Sequence, residues 1–125
     1  MVQLINTKSY DILAHLDLPK KYGYRYSDDA KYYKMIDNLL DAVKLQGLAL
    51  ECSTAGLRKY IGEIYPDKKI LKIAIDKDIP ILVNSDAHKP SEVGYKFKKT
   101  LQMLRNLGLT KLCKFSNRKI EFVEI

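Results

Sequence analysis

Two aspartate–histidine pairs are the residues of this sequence that suggest chemistry most directly. Asp86 and His88 follow the apolar segment "ILVN", and His15 and Asp17 follow the segment "DILA". The chain has two histidines, so each of them lies two residues from an aspartate. Residues i and i+2 of an extended segment project to the same side, and we therefore expect each pair to point into one pocket.

The chemistry that these pairs suggest is metal binding. Carboxylate oxygens and imidazole nitrogens together suit zinc, manganese or iron. Such a metal polarises a phosphoryl oxygen and lowers the pKa of bound water towards neutrality. An Asp-x-His pattern alone is weak, because an isolated histidine is more often a surface or hydrogen-bonded residue than a ligand. The position of both histidines after apolar segments favours a metal site, and the other interpretation stays open.

Two arginines and one glutamate are further candidates. Arg58 lies in "STAGLRKYIGEIYP" and Arg25 in "KKYGYRYSDDA". A guanidinium group binds phosphate through paired N–H donors, although an exposed loop charge is the simpler explanation of either residue. Glu51 either orients the loop or a ligand, or simply ends a strand. Cys52 has no neighbouring base, so nucleophilic catalysis is not indicated.

The elements that must position these residues alternate between strands and helices. The first predicted helix is capped by Ser27 or Asp28, runs to about Leu45 and is ended by Gly47. Its apolar face comprises Ile36, Leu39, Leu40 and Val43. The predicted strands are "YDILAHLDL", "LALECS", "PILVNSD", "KLCKFS" and "KIEFVEI", with "NR" as a turn between the last two.

Two more helices and a loop complete this prediction. "PDKKILKIAIDK" has Pro66 in its first turn and an apolar stripe of Ile70, Ile73 and Ala74. "SEVGYKFKKTLQMLRNLG" is amphipathic and is ended by Gly108. "TAGLRKYIGEIY" is predicted to be a loop.

Alternating strands and helices predict an α/β fold with right-handed parallel crossovers, either as an open sheet or as part of a barrel. The 125 residues form a single domain. His15, Glu51 and Asp86 fall at or near the C-terminal ends of predicted strands, where α/β folds bind their ligands. We therefore expect one site at that edge of the sheet.

Composition narrows the class of partner. The net charge of +7 favours anionic partners, but the basic residues are spread over helix faces rather than gathered in one block. No apolar run approaches the length that spans a bilayer, and the N-terminus lacks a signal-peptide pattern. Cys52 and Cys113 form no metal or disulfide spacing motif, which fits a reduced thiol pair. We expect a cytoplasmic protein without a membrane partner.

Several motifs, in this order, resemble the PHP-type histidinol-phosphate phosphatases of the PHP superfamily. They are "DILAHLDLPKKYG", "LECSTAGLRK", "NSDAHKPSEVG" within a longer matching stretch, and "FSNRKIEF". The resemblance extends from about Tyr10 to the end of the chain, and "NSDAHKPSEVG" is its most specific part. It corresponds to the C-terminal half of the family's domain, so that residues 1–125 form a single partial PHP domain.

The resemblance implies a distorted (β/α)7 barrel with mostly parallel strands and up to three divalent metals, Mn, Zn or Fe. It implies phosphoester hydrolysis, the conversion of histidinol phosphate to histidinol in histidine biosynthesis. His15, Asp86 and His88 resemble metal ligands, and Asp86 and His88 the catalytic residues. The resemblance also implies that Arg58 and Arg25 contact the substrate phosphate and that Asp17 orients a ligand. We group Glu51 with Asp17 as a residue that supports the site.

The sequence departs from the family in one respect. The family opens with an H-x-H strand motif and takes further ligands from its first half, whereas this chain contains no H-x-H. We therefore expect the chain alone to lack a complete site. It is a fragment of a longer phosphatase, one half of a split enzyme, or an inert remnant.

Each of these interpretations predicts a different partner. An open half-barrel leaves sheet edges and apolar surface exposed, so an N-terminal PHP half or a second copy of the chain is expected to cover them. The substrate would be a phosphorylated small molecule. PHP-like domains also accompany bacterial DNA polymerases, but a nucleic-acid-associated role is disfavoured because no recognition helix or stacking surface is indicated.

Overall fold

The structure, a computed structural model, describes residues 2–5, 7, 9–25 and 29–125. Its α-helices are α1 (Val2–Ile5), α2 (Asp29–Leu45), α3 (Lys68–Asp76) and α4 (Phe97–Asn106). Its strands are β1 (Ile12–Leu13), β2 (Ala49–Ser53), β3 (Ile81–Asn84), β4 (Lys111–Ser116) and β5 (Lys119–Glu124). Short 3-10 helices occur at Leu18–Tyr22, Ala55–Arg58 and Pro90–Glu92.

A parallel sheet in the order β1-β2-β3 is the centre of the fold. Ile12 pairs with Ala49, and Leu50 pairs with Ile81. Every residue of β2 is buried, as expected for a central parallel strand with both faces covered. The predicted parallel α/β arrangement is confirmed for these three strands.

Helix α2 covers the sheet with the apolar face that the sequence predicts. Its buried residues are Ile36, Leu39, Leu40 and Val43. The helix is followed by Gly47 at φ +69°, a left-handed conformation that favours glycine. The predicted caps Ser27 and Asp28 lie outside the described residues.

Helix α3 begins one residue after a side-chain cap. The carboxylate of Asp67 accepts a hydrogen bond from the backbone N–H of Ile70 at 2.9 Å. Pro66 therefore precedes the cap, and its predicted place in the first turn was wrong. The predicted stripe holds in part, because Ile70 and Ala74 are buried whereas Ile73 is half-buried.

Two predicted elements are shorter than expected. Strand β1 ends at Leu13, since His15 has φ +56° and a 3-10 helix begins at Leu18. The segment before α4 contains the 3-10 helix Pro90–Glu92, and the α-helix begins only at Phe97. Gly108, at φ +101°, follows the end of α4 as predicted.

Strand β4 does not join the parallel sheet, which corrects the prediction of a fourth parallel strand. It pairs antiparallel with β5 in a separate hairpin. Asn117 and Arg118, at φ +50° and +63°, form the predicted turn. Positive φ at both central residues matches the right-handed twist of a two-residue hairpin, and this local geometry favours antiparallel pairing.

No α-helix within the described ranges is long and apolar enough to cross a membrane.

Candidate functional site

His15 and Glu51 meet beside the parallel sheet. The carboxylate oxygen Oε2 of Glu51 accepts a hydrogen bond from the backbone N–H of His15 at 3.2 Å and lies 3.3 Å from its Nδ1. Glu51 is buried, whereas 42% of the His15 side chain is exposed. A carboxylate only accepts hydrogen bonds, so this geometry suits the tautomer with the proton on Nδ1 and the lone pair on Nε2.

Asn84 connects this pair to the loop after β3. Its Nδ2 donates to Oε1 of Glu51 at 2.8 Å, and its Oδ1 accepts from the backbone N–H of Asp86 at 3.1 Å. Asn84 is the last residue of β3. The network therefore runs from the end of β1, across Glu51 in β2, to Asp86 beyond β3.

The imidazole ring of His88 contacts the backbone of Asp86. Its Nδ1 lies 2.9 Å from the carbonyl oxygen of Asp86, and its backbone N–H donates to Oε2 of Glu92 at 2.9 Å. A carbonyl oxygen accepts only, so this contact is a hydrogen bond in the tautomer that has the proton on Nδ1. This hydrogen bond from the His88 backbone lowers the pKa of the Glu92 carboxyl, and Arg58 acts in the same direction.

Arg58 braces the same loop. Its Nη1 donates to the carbonyl oxygen of Ser85 at 2.8 Å, and its Nη2 donates to that of Asp86 at 3.0 Å. Nη2 also lies 3.4 Å from the Glu92 carboxylate, and the guanidinium lies 5.7 Å from the centre of the Tyr95 ring. Arg58 is thus not a free loop charge: both of its terminal nitrogens contact protein groups, although its buried Nε has no partner among the described residues.

The expectation that each aspartate–histidine pair shares a pocket depends on extended backbone, and the backbone is not extended. His15 and Asp86 have φ values of +56° and +46°. His15 contacts Glu51, whereas Asp17 contacts Lys20. His88 contacts the carbonyl oxygen of Asp86 rather than its carboxylate.

Asp17 lies in a buried ion pair. Its Oδ2 is 2.7 Å from Nζ of Lys20 and accepts from the backbone N–H of Asp67 at 2.9 Å. Burial raises the pKa of the Asp17 carboxyl, and the nearby lysine opposes this effect. Lys20 also donates to the carbonyl oxygen of Ile64 at 2.7 Å. These contacts join the turn after β1 to the start of α3, a structural role that sequence spacing did not indicate.

Arg25 is exposed and paired. Its Nη2 donates to the Glu63 carboxylate at 2.8 Å. Glu63 also lies 3.5 Å from Nζ of Lys20, the partner of Asp17, so Arg25 is on the side of Asp17. None of these described contacts reaches the network around Glu51.

The candidate metal ligands have some of the surroundings that a metal site requires, but not all of them. Metal-binding histidines usually donate their second ring N–H to a carboxylate or a carbonyl oxygen, and Nδ1 of each histidine here lies next to such an acceptor. However, within residues 2–5, 7, 9–25 and 29–125 no three His, Cys, Asp or Glu side chains are grouped to hold one metal ion. The histidines of the described part of the chain have the surroundings of contributing ligands, but three donors are not grouped there.

Two clefts lie elsewhere on the molecule. One of about 520 Å³ is lined by α3 and α4 residues such as Lys68, Lys99 and Met103. Another of about 1070 Å³ lies between the turn after β1 and α2, and Asp17 and Arg25 are among its lining residues. Neither includes His15, Asp86 or His88.

Two residues of the network escaped sequence reasoning. Asn84 was treated as part of a strand, and Glu92 as part of a helix start. The signal for Asn84 was its position at the end of an apolar strand, directly before the "SDAH" segment. Cys52, by contrast, is buried as a core residue, and burial raises the pKa of its thiol to about 12, which agrees with the expectation that it is not a nucleophile.

Comparisons with known proteins point to one family. The family model described as PHP-associated matches residues 67–97. The Deinococcus radiodurans protein named "Probable histidinol-phosphatase" is 39% identical over 112 residues, which are 90% of this chain and 41% of that protein. The Bacillus subtilis "Histidinol-phosphatase" is 33% identical over 93 residues, 72% of this chain and 35% of that protein. This chain therefore spans about two fifths of the length of these relatives.

A solved structure supports the fold. It is a crystal structure from Listeria monocytogenes of a protein named as a candidate histidinol phosphatase, with a TM-score of 0.65 and 24% identity. The match covers 78% of this chain and 41% of that chain. Since the sequence relatives and the family model agree with the motifs found in the sequence, the resemblance of this chain to the PHP-type histidinol phosphatases is confirmed.

Proposed function

We propose that this chain supplies part of the site of a metal-dependent phosphoester hydrolase that acts on histidinol phosphate. The observation that carries the proposal is that Nδ1 of each histidine faces an acceptor, which leaves Nε2 as the ring nitrogen for a metal. The names of the relatives from Deinococcus radiodurans and Bacillus subtilis support the choice of substrate.

His15, Asp86 and His88 would hold the metal, which we propose to be manganese, zinc or iron. When bound, such an ion supplies Lewis-acid polarisation of the phosphoryl group and a more acidic water. Glu51 orients His15, and Arg58 holds the loop that carries Asp86 and His88. A phosphate contact by Arg58 requires exchange of its interaction with Glu92, and one by Arg25 requires exchange of its pair with Glu63.

The proposed site is incomplete in this sequence alone. Further ligands would come from an N-terminal PHP half, whether encoded in the same chain or separately, and the three parallel strands would then form part of a (β/α)7 barrel. A homo-oligomer is the competing arrangement, but its second copy supplies no H-x-H motif. We place the assembled enzyme in the cytoplasm.

The test is release of inorganic phosphate from histidinol phosphate in the presence of manganese or zinc. The chain is assayed alone and after mixing with the segment of the Deinococcus relative that it does not match. We expect no turnover alone and turnover in the mixture. Asp86→Ala is expected to abolish the rescued turnover, whereas Asp76→Ala, at an exposed position of α3, serves as the matched control.

Two outcomes would contradict the proposal. Turnover by the chain alone would show that a smaller ligand set suffices. No phosphate release from the mixture, when the two segments are shown to associate, would favour a catalytically inert remnant. A salt-sensitive shift of DNA by the chain would favour the nucleic-acid-associated alternative instead.

A further inference from the structure

We infer that Asn84 is a positioning residue that holds both histidines in the same tautomer, with Nδ1 protonated and Nε2 free. The inference deepens the proposed function, on which its meaning for metal binding rests. The observation behind it is that the side-chain amide of Asn84 contacts the group next to each ring. These groups are the Glu51 carboxylate beside His15 and the backbone of Asp86 beside His88.

The NH₂ group of Asn84 holds the Glu51 carboxylate, which in turn contacts the ring of His15. Asn84 Nδ2 donates to Oε1 of Glu51, and Oε2 of the same carboxylate faces Nδ1 of His15. With Oε1 held at 2.8 Å, the carboxylate cannot rotate away from the ring without losing a hydrogen bond. The orientation of Glu51, and through it the tautomer of His15, therefore depends on the NH₂ group.

The amide oxygen of Asn84 holds the backbone of Asp86, whose carbonyl oxygen contacts the ring of His88. Asn84 Oδ1 accepts from the backbone N–H of Asp86, whose φ is +46°. This contact helps to hold a left-handed conformation that an aspartate adopts at some cost. In that conformation the carbonyl oxygen of Asp86 meets Nδ1 of His88 at 2.9 Å.

Few side chains satisfy both demands at this position. Asparagine has a donor and an acceptor on one short side chain, whereas aspartate offers acceptors only when ionised. Asn84→Asp therefore keeps the contact to Asp86 and replaces the donor to Glu51 with an oxygen. Asn84→Ala removes both contacts, so the two variants separate the two halves of the proposal.

The experiment is ¹⁵N NMR of the imidazole rings at a pH at which both are neutral. The chain has two histidines, so His15→Gln and His88→Gln assign every ring signal. In the unmodified protein we expect the Nδ1–H form to be the majority for both rings. In Asn84→Asp we expect the Nδ1–H form of His15 to become the minority while that of His88 is retained, and in Asn84→Ala we expect both to be lost.

Asn106→Asp is the matched control, because Asn106 is exposed on α4 and contacts Gln102. It is expected to leave both tautomers unchanged. A majority of Nε2–H at either ring in the unmodified protein would overturn the inference, as would an unchanged His15 in Asn84→Asp. Amide spectra of each variant establish that it is folded, and if Asn84→Ala is not, Asn84→Asp alone decides the role at His15.

Titration with zinc, followed by the same ring signals, separates this inference from the proposed function. Nε2 shifts at both rings would support both proposals. The expected tautomers without any zinc-dependent change, in the presence of the complementary segment, would support the role of Asn84 and contradict the metal-dependent function.

Discussion

Asp17 and Lys20 show how a chemically suggestive residue can serve the fold. Both are buried, and the carboxylate also accepts the backbone N–H of Asp67 next to α3. Spacing alone placed Asp17 beside His15, but it could not reveal a partner that lies across a turn. The pair ties the turn after β1 to the rest of the molecule.

Replacement of Asp17 by alanine is expected to lower the free energy of unfolding by about 3 kcal/mol, because it leaves a buried ammonium group without its closest counter-charge. Urea unfolding followed by circular dichroism measures the change. Asp76→Ala removes an exposed partner of Lys72 and is expected to have little effect. Equal losses of unfolding free energy in the two variants would show that the buried pair contributes no more to stability than an exposed one.

Arg58 holds the loop of Asp86 and His88 through two carbonyl oxygens. Lysine retains the charge but not the planar fork, so Arg58→Lys cannot make both contacts with the same geometry. We expect faster amide hydrogen exchange in residues 85–92 and unchanged exchange in β2. Arg105→Lys, at an exposed position of α4, is the control, and an equal rise in both variants would contradict the bracing role.

The 3-10 helix Ala55–Arg58 lies tightly against the segment that leads to α3. A Cβ atom added at Gly56 would lie 2.0 Å from the backbone oxygen of Glu63 and 2.8 Å from the ring of Tyr65. The Glu63 neighbour is a backbone atom, and Tyr65 is almost fully buried. The loop predicted from "TAGLRKYIGEIY" is therefore an ordered and closely packed element.

Gly56→Ala is expected to destabilise the protein by about 3 kcal/mol, at the upper end of overpacking effects, because a backbone atom must move. Gly62→Ala is the matched control: Gly62 has φ +62° but nothing within 4 Å of an added Cβ, so its cost is about 1 kcal/mol of backbone strain. Thermal unfolding compares the two. A smaller loss for Gly56→Ala than for Gly62→Ala would contradict the packing account.

Elements with a strong local signal were predictable, and those set by contacts distant in sequence were not. The face of α2 follows from helical spacing, and the turn at Asn117 follows from hairpin chemistry. The early end of β1 depends on contacts of His15 with Glu51, which is 36 residues away. The resemblance identified His15, Asp86 and His88 as candidates, but only coordinates show that Asn84 joins their supports.

The whole molecule exposes apolar surface at the β4–β5 hairpin. Phe122 and Val123 are about half exposed, and Ile120 is also exposed. Among the described residues β5 pairs with β4 alone, so its other edge offers unpaired backbone groups. An apolar strand edge of this kind favours association with another chain.

We expect the chain alone to self-associate with rising concentration, and Phe122→Glu to weaken this association at least several-fold. Sedimentation velocity over a wide concentration range measures it. Tyr60→Glu makes the same kind of change at an exposed loop position and is expected to have little effect. A monomer at every concentration, or equal effects of the two substitutions, would contradict this expectation.

The left-handed backbone conformation of His15 and Asp86 lowers the stability of the fold at two positions that are also candidate metal ligands. Each non-glycine residue in this conformation costs roughly 1–2 kcal/mol, a cost that glycine avoids. A library of variants selected only for resistance to heat would therefore accumulate glycine at both positions, and would lose two of the three candidate metal ligands in doing so. Laboratory evolution of this protein must select for ligand binding at each round if it is to keep the site while it improves the fold.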